Sequence, residues 1–425
     1  MRKRICLFFA AMLLCMSNIM AQVASGSCGD NITWKLSDDG ELVIEGTGAM
    51  TDFSFYTHAP WYQYRESVLS VTIGEGVTHV GGYAFRDYSN LTTAAISASV
   101  TSIGNDAFWG TGLTSFVIPE NSQLSTIGDW AFNGSAGLTT ICFPANLTSI
   151  GYYAFNTCNF TSITCNAVTP PSIDNSFPST DASALIYVPA ASVEAYKAAE
   201  GWNKFTNWMI ASGTCGDNLT WKLSAEGELT IEGIGAMTST PWSIYSEQVS
   251  TVTIGEGVTN IREWAFGYYP NLTSITIPAS VTTIGGAAFM NCSSLASVTI
   301  AENSQLVSIG SSAFKNCSNL TSFTLPASVT SIGNDAFWGT GLTSFIIPEN
   351  SQLATIGDWA FNGSAGLTTI SFPVSLTSIG YYAFNTCNFT SITCNAVTPP
   401  SIDNSFPSTD ASALVYVPAA SVEAY

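Results

Sequence analysis

The side chains with the widest chemical reach in this chain are its two histidines, the nine cysteines beyond residue 21, and an aromatic column that returns at a fixed interval. An enzyme needs a nucleophile, a base and an orienting group converging on one place. His58 and His79 both lie in the first half, and the residue matching His79 in the second half is Asn260, so a duplicated activity resting on histidine is excluded. The chain contains no His-Glu-x-x-His, no Gly-x-Ser-x-Gly and no phosphate loop. Gly46-Thr-Gly48 lacks a third glycine and a following helix, and reads as a turn. Asp38-Asp39-Gly40 lacks the alternating ligands and distal glutamate of a calcium loop. Its counterpart is Ala225-Glu226-Gly227, so it too reads as a hairpin turn. The expectation is no catalysis, no metal and no cofactor.

Cys158, Cys292, Cys317 and Cys387 share one repeat position, which predicts small hydrophobes in an internal column. The spacing of seven from Cys158 to Cys165, and from Cys387 to Cys394, fits no metal template. An odd number of cysteines leaves at least one thiol unpaired, and Cys142, whose counterpart is Ser371, is the candidate for an exposed one. The disulfide state of Cys28 and Cys215 stays open.

Binding chemistry has better candidates. Tyr83, Trp130, Tyr153, Trp264, Trp359 and Tyr382 stand just before Ala in a recurring Ile-Gly-x-x-Ala-Phe string, and Trp109 and Trp338 stand just after its Phe. Exposed, they form platforms for sugar rings or anchors for a protein; laid flat between coils, they are partial core. A second candidate surface is the hydroxyl row Ser274, Thr276, Ser297, Thr299, Ser322 and Thr324, continued in the first half by Ser70, Thr72, Ser115 and Thr140. It suits hydrogen bonding to a protein or glycan, although Thr also simply suits exposed strand positions.

The elements that must position these residues follow from the period. The string occurs in full or near copies at Val80, Ile103, Ile127 and Ile150, and again at Ile261, Ile284, Ile309, Ile332, Ile356 and Ile379, a spacing of 23 to 25 residues within each run. Such a period marks a repeat solenoid of stacked coils. Between the strings lies Leu-x-x-Ile-x-Ile-Pro, as at Leu272 to Pro278, whose alternation is that of a strand. Stacked, these strands form a parallel sheet with neighbours ~4.8 Å apart. Gly in the string is assigned to the tight bend, and its Ala and Phe to the interior.

The gap between the two runs holds an ending and a beginning. Cys28 to Gly46 and Cys215 to Gly233 read as hairpin caps. Ser192 is expected to open a short helix from Val193 to Glu200, closed by Gly201, with Trp202, Phe205 and Trp208 as apolar plugs. The expected organisation is therefore mainly β, as two tandem solenoids. The first, 22–212, has its hairpin cap at 28–46, coils at about 68–165 and a C-terminal cap at about 166–210. The second, 213–425, has a cap at 215–233, coils at about 249–394 and an incomplete cap at 395–425. Ser421 to Tyr425 matches Ser192 to Tyr196, which suggests a C-terminally incomplete fragment, the alternative being a natural truncation.

Arg2, Lys3 and Arg4, then the apolar Ile5 to Met16, then Ile19-Met20-Ala21 read as a secretory signal over 1–21. Removing those three of 11 basic residues leaves eight against 30 acidic ones, a net charge of −22. That field repels phosphate backbones and anionic membranes, which argues against nucleic-acid binding. No later segment is apolar enough to insert in a membrane. The Asn-x-Thr sequons at Asn90, Asn146, Asn271 and Asn319 come from the repeat's own Asn-Leu-Thr and imply no glycosylation.

Ile-Gly-x-x-Ala-Phe-x-x-Cys-x-x-Leu-x-x-Ile-x-Ile-Pro, together with the opening Cys28 to Met50 and Cys215 to Met237 (Ile234 in place of Thr), resembles the BspA-like leucine-rich-repeat family of bacterial surface and secreted proteins. The resemblance covers nearly the whole exported chain. It implies right-handed leucine-rich-repeat solenoids displayed outside the cell, with adhesion to host proteins, other cells or glycans, and it brings no shared catalytic residues. The expected function is a secreted or cell-surface binding protein whose partner is an extracellular protein or carbohydrate. The alternative is a spacer that displays a further domain.

Overall fold

Ser274-Ile-Thr-Ile277 is too short to bury its isoleucines alone, and it does so by lying parallel between Thr251–Ile254 and Ser297–Ile300. The same solution repeats throughout the computed structural model, which describes residues 21–425; the secretory signal expected over 1–21 falls almost wholly outside the described residues. The chain divides into two units between Ile210 and Ala211, and each is a parallel β-solenoid with two sheets.

The first sheet carries the longer strands, in unit one Glu41–Gly46, Ser70–Ile73, Thr93–Ile96 and Ser115–Val117 in order. The second carries very short strands ending in the isoleucine of the string: Val77–Val80, Ser102–Ile103, Thr126–Ile127, Ser149–Ile150 and Ser172–Ile173. Unit two repeats both sheets, its second running unbroken from Gly235–Ala236 to Ser401–Ile402. The Ile-Gly of the string is therefore the end of a strand rather than only a bend.

The first sheet is interrupted where coils lengthen. Pairing is absent between Ser115–Val117 and Thr140–Phe143, between Ser297–Ile300 and Ser322–Thr324, and between Ser344–Ile346 and Thr369–Phe372. Those are the places where the leucine column is spaced by 25 residues, Leu113 to Leu138, Leu295 to Leu320 and Leu342 to Leu367; coils spaced by 22 or 23 stay paired. The extra residues lie in Glu-Asn-Ser-Gln inserts such as Glu120 to Gln123.

The interior is a ladder of rings. Phe85, Phe108, Phe132, Phe155 and Phe177 stack face to face at 4.9 to 5.3 Å. In unit two Phe266, Phe289, Phe314, Phe337, Phe361, Phe384 and Phe406 do the same at 5.0 to 5.3 Å. Trp61 and Trp242 close one end of each ladder, stacking on Phe85 at 5.7 Å and Phe266 at 5.8 Å. Their indole N–H groups, buried, donate to the carbonyls of Ala84 and Ala265. Trp202 and Phe205 cover Phe177 at the far end of unit one.

Several expectations need revision. The glycine of the string is not in a left-handed conformation. It is glycine because a Cβ on Gly104 would sit 2.4 Å from the Gly82 nitrogen, and on Gly333 2.6 Å from the Ser311 nitrogen, so a side chain would hold the coils apart. The positive φ falls two residues later, on the residue before Ala. The repeat-locked cysteines do more than fill space. The thiols of Cys292 and Cys317 donate to the carbonyls of Phe266 at 2.9 Å and Phe289 at 3.1 Å in the preceding coil, a bond that Ser135 and Ser364 make in other coils.

The opening caps have three antiparallel strands in unit one, because Gln22–Gly29 pairs with Ile32–Ser37 ahead of the expected hairpin. Residues 166–187, assigned to the C-terminal cap, form a further turn of the stack, with Ser172–Ile173 and Leu185–Tyr187 in register with the coil before them. Ser192 stands at the N-cap position of the helix, as expected, but its side chain does not cap it. It ends a 3-10 turn at φ −106°, makes no capping bond, and its buried hydroxyl has no partner. The helix is Val193–Ala198, ended by extended Ala199 rather than by Gly201.

Candidate binding surface

In each coil the chain leaves the second sheet and turns through the residue before Ala. That residue is left-handed everywhere: Tyr83, Asp106, Trp130, Tyr153, Trp264, Ala287, Ser312, Asp335, Trp359 and Tyr382 have φ between 51° and 60°. The conformation aims the N–H along the stack, so Trp130 donates to Tyr152 O and Trp359 to Tyr381 O, both at 2.9 Å. For a bulky residue it costs roughly 1–2 kcal/mol.

The aromatic column lies at the surface without being free of it. Trp264 is 49% exposed and stacks on Tyr268 at 6.1 Å. Tyr83, Trp130, Tyr153, Trp359 and Tyr382 are half-buried, as are Trp109 and Trp338. Neighbouring coils bring the rings together. Trp130 lies 4.8 Å from Tyr153 and 5.7 Å from Tyr152, and Trp359 lies 4.7 Å from Tyr382 and 5.7 Å from Tyr381. Trp338 extends the second cluster, stacking on Trp359 at 5.7 Å.

Cations cover the outer tryptophans. Arg86 lies 4.0 Å above the Trp109 ring and pairs with Asp106, while the Lys315 ammonium sits 3.8 Å above Trp338 and 3.7 Å from Asp335. Burial raises the Asp106 carboxyl above its ordinary range, with Arg86 opposing the shift. Burial likewise raises the Tyr83 phenol.

Beside each ring cluster runs a groove, and its shape follows from the glycines. In unit two Gly310, Gly333, Gly357 and Gly380 line its floor, with Ser308, Ser331, Thr355, Ser378 and Ser401 before each isoleucine, Ser311, Asn334, Asp358 and Tyr381 after each glycine, and Asp403 in the glycine's place in the last coil; it is an open trough of about 630 Å³. Unit one has its counterpart of about 370 Å³, with Asn105, Asp129, Tyr152 and Asp174 along the same side. Ile309, Ile332, Ile356 and Ile379 are buried, as are Ile127 and Ile150, while Ile173 is half-buried and Ile402 is exposed at the last coil; the rest of the groove surface is hydroxyl, amide, carboxylate and tyrosine. Tyr152 and Tyr381 are 40% and 39% exposed. The phenol of each donates a side-chain hydrogen bond to the neighbouring tyrosine, which raises its pKa.

Sequence reasoning missed Tyr152, Tyr381, Asp129 and Asp358. The signal available was that the residue after Gly varies from coil to coil while the Ile and Gly before it do not.

The hydroxyl row lies elsewhere, on the outer face of the first sheet. Thr276, Ser297, Thr299, Ser322 and Thr324 are exposed and Ser274 is half-buried. The structure does not bring it together with the aromatic column. Cys142 is half-buried and accepts the Asn166 amide at 3.6 Å. His79 bridges coils, its Nδ1 2.7 Å from Ser102 Oγ and its Nε2 2.9 Å from Asp52 Oδ1. In unit two Asn260 ties neighbouring coils by accepting the Met237 N–H at 2.6 Å. Among the described residues there is no cluster of three or more His, Cys, Asp or Glu suited to a metal, and no helix long and apolar enough to cross a membrane.

No curated protein matches the chain. Among solved structures, a leucine-rich repeat protein from Eubacterium ventriosum is 25% identical over 86% of this chain and 95% of its own, with a TM-score of 0.35. One from Bacteroides ovatus is 22% identical over 82% and 94%, with a TM-score of 0.28. A leucine rich cell surface protein from Faecalibacterium prausnitzii is 19% identical over 94% and 97%, with a TM-score of 0.27. The BspA type leucine rich repeat region matches in six copies, over residues 59–180, 243–352 and 330–410. These segments span more than half of the sequence, and they carry the stacked strands, the phenylalanine ladder and the aromatic edge: the chain belongs to the BspA-type leucine-rich-repeat family.

Proposed function

We propose that this protein is a secreted or cell-surface binding protein that uses the outer edge of its solenoids to recognise an extracellular protein or glycan. The observation that carries the reading is the aromatic residue held at a left-handed backbone position in Tyr83, Trp130, Tyr153, Trp264, Trp359 and Tyr382. Other coils put Asp106, Ala287, Ser312 and Asp335 at the same place with the same φ, so the fold does not need a ring there. Rings kept at a position that penalises bulk, on a half-exposed edge, favour a role outside the core.

Membership of a leucine-rich-repeat family supports an interaction surface as the working part of the molecule. The strongly acidic net charge of −19 favours neutral or basic partners and disfavours nucleic acid. Export rests on the leader assigned to residues 1–21.

The test is binding of the full chain to an array of extracellular-matrix proteins and glycans. Saturable binding that weakens when Trp130 and Trp359 are replaced supports the proposal. An absence of binding to every array member turns the reading toward a spacer.

A further inference from the structure

The two grooves carry an inference that rests on the binding reading and narrows it. From the Gly-floored trough beside Tyr152 and Tyr381 we infer a site for a linear, uncharged oligosaccharide, present once in each unit.

The surface is built for hydroxyl groups. One flank offers serine and threonine hydroxyls at every coil, and the other offers the amides and carboxylates of Asn334, Asp358 and Asp403, or of Asn105, Asp129 and Asp174. A partly exposed tyrosine ring interrupts each polar flank, backed by a second ring 4.2 Å away. Polar groups that accept and donate in the plane of a sugar, with an aromatic face to cover its C–H surface, make a carbohydrate subsite.

The carboxylates are preorganised. Asp358 Oδ1 takes the N–H of Tyr381 and is aligned by Asn334 Oδ1, which takes the Asp358 N–H; Asp129 and Asn105 do the same in unit one. Each carboxylate keeps a second oxygen for a ligand hydroxyl.

Other ligands fit less well. An extended peptide needs pockets for alternate side chains or an unpaired strand edge, whereas here Ile309, Ile332, Ile356 and Ile379 are buried and the strands from Ser308–Ile309 to Ser378–Ile379 are paired on both sides, leaving only Ser401–Ile402 as an open edge at one end of the groove. An anionic glycan meets carboxylates in both grooves and a chain of net charge −19. The trough in unit two follows five coils, which at ~4.8 Å per coil gives a run of about 20 Å, enough for a chain of several rings laid along the stack. The six substitutions between the matching stretches 100–196 and 329–425 are Val117/Ile346, Ser125/Ala354, Cys142/Ser371, Ala145/Val374, Asn146/Ser375 and Ile186/Val415. None of them is a groove-lining residue.

The experiment is calorimetric titration of the full chain with maltohexaose, cellohexaose, mannohexaose and hexa-N-acetylchitohexaose, with polylysine and heparin as charged controls. The expected result is binding of at least one neutral hexaose, insensitive to added salt and weakened at least tenfold in the double variant Tyr152→Ala/Tyr381→Ala, whose melting temperature matches the parent. Failure of all four to bind overturns the inference, as does hexaose binding that the tyrosine variant leaves unchanged. If binding instead disappears in Trp130→Ser/Trp359→Ser alone, the groove is wrong while the aromatic edge stands. Protein ligands captured on the array without any hexaose binding separate the two readings in the same way, and binding of polylysine alone makes the groove an acidic surface only.

Discussion

Asp358 Oδ1 accepts the backbone N–H of Tyr381 at 2.8 Å, and Asp129 stands in the same relation to Tyr152 at 2.7 Å. The bond crosses from one coil to the next and sets the tyrosine at the lip of the groove. One coil earlier an amide performs the same task, since Asn334 and Asn105 accept the N–H of Asp358 and Asp129 at 2.9 Å. Asp358→Asn is therefore expected to leave the denaturation midpoint unchanged, and Asp358→Ala to lower stability by about 1 kcal/mol. Equal destabilisation by both would show that the charge, not the acceptor, matters.

The phenylalanine ladder makes a larger prediction. Phe289 is fully buried and stacks on Phe266 and Phe314 at 5.3 and 5.1 Å. Phe289→Ala removes both contacts and leaves a cavity, at about 3 to 5 kcal/mol. Chemical denaturation measures it, and an unchanged midpoint would contradict the inward assignment.

Adjacent glycines separate steric need from conformational habit. A Cβ on Gly285 would stand 2.4 Å from the Glu263 nitrogen, whereas on Gly286 the nearest atom is 3.4 Å away, and neither glycine has positive φ. Gly285→Ala should cost ~1–3 kcal/mol through forced separation of coils, and Gly286→Ala should be neutral or slightly stabilising. Thermal melting of the two variants checks the contrast.

The buried thiols give a pH dependence. Burial pushes Cys158, Cys292 and Cys387 up to about 12, from an ordinary 9.0. In the unfolded chain these thiols ionise near 9, so the stability from keeping them neutral is complete below pH 9 and falls as pH rises toward 12. The slope is roughly 1.4 kcal/mol per pH unit for each thiol. Replacing the three by Ser, the residue found at 135 and 364, should flatten the decline in melting temperature above pH 9 while keeping the bond to the phenylalanine carbonyl. A decline as steep as the parent's would place its cause elsewhere.

What the residues disclose and what they hide divides along a physical line. The period, the inward Phe of the string and the sheet built from Ile-x-Ile were legible because apolar spacing reports directly on burial. The glycine's role was not, since it depends on the backbone of the preceding coil rather than on its own φ. The left-handed residue was hidden because Tyr, Trp, Asp, Ser and Ala all occupy it, so no residue type marks it. Tyr152 and Tyr381 were passed over for Tyr153 and Tyr382, because adjacent aromatics give no sign in sequence of which faces the groove. The opening strand Gln22–Gly29 escaped notice because its residues are mostly exposed and follow no alternation.

The account stands most directly on one comparison: equilibrium binding of the full chain and of Trp130→Ser/Trp359→Ser to whichever array member the parent binds. Ser312 already occupies that backbone position with φ 57°, so the variant keeps its fold and its melting temperature. The predicted result is a loss of binding of at least tenfold. Binding equal to the parent's, with the fold intact, would contradict the claim that the aromatic edge of the solenoid is its recognition surface.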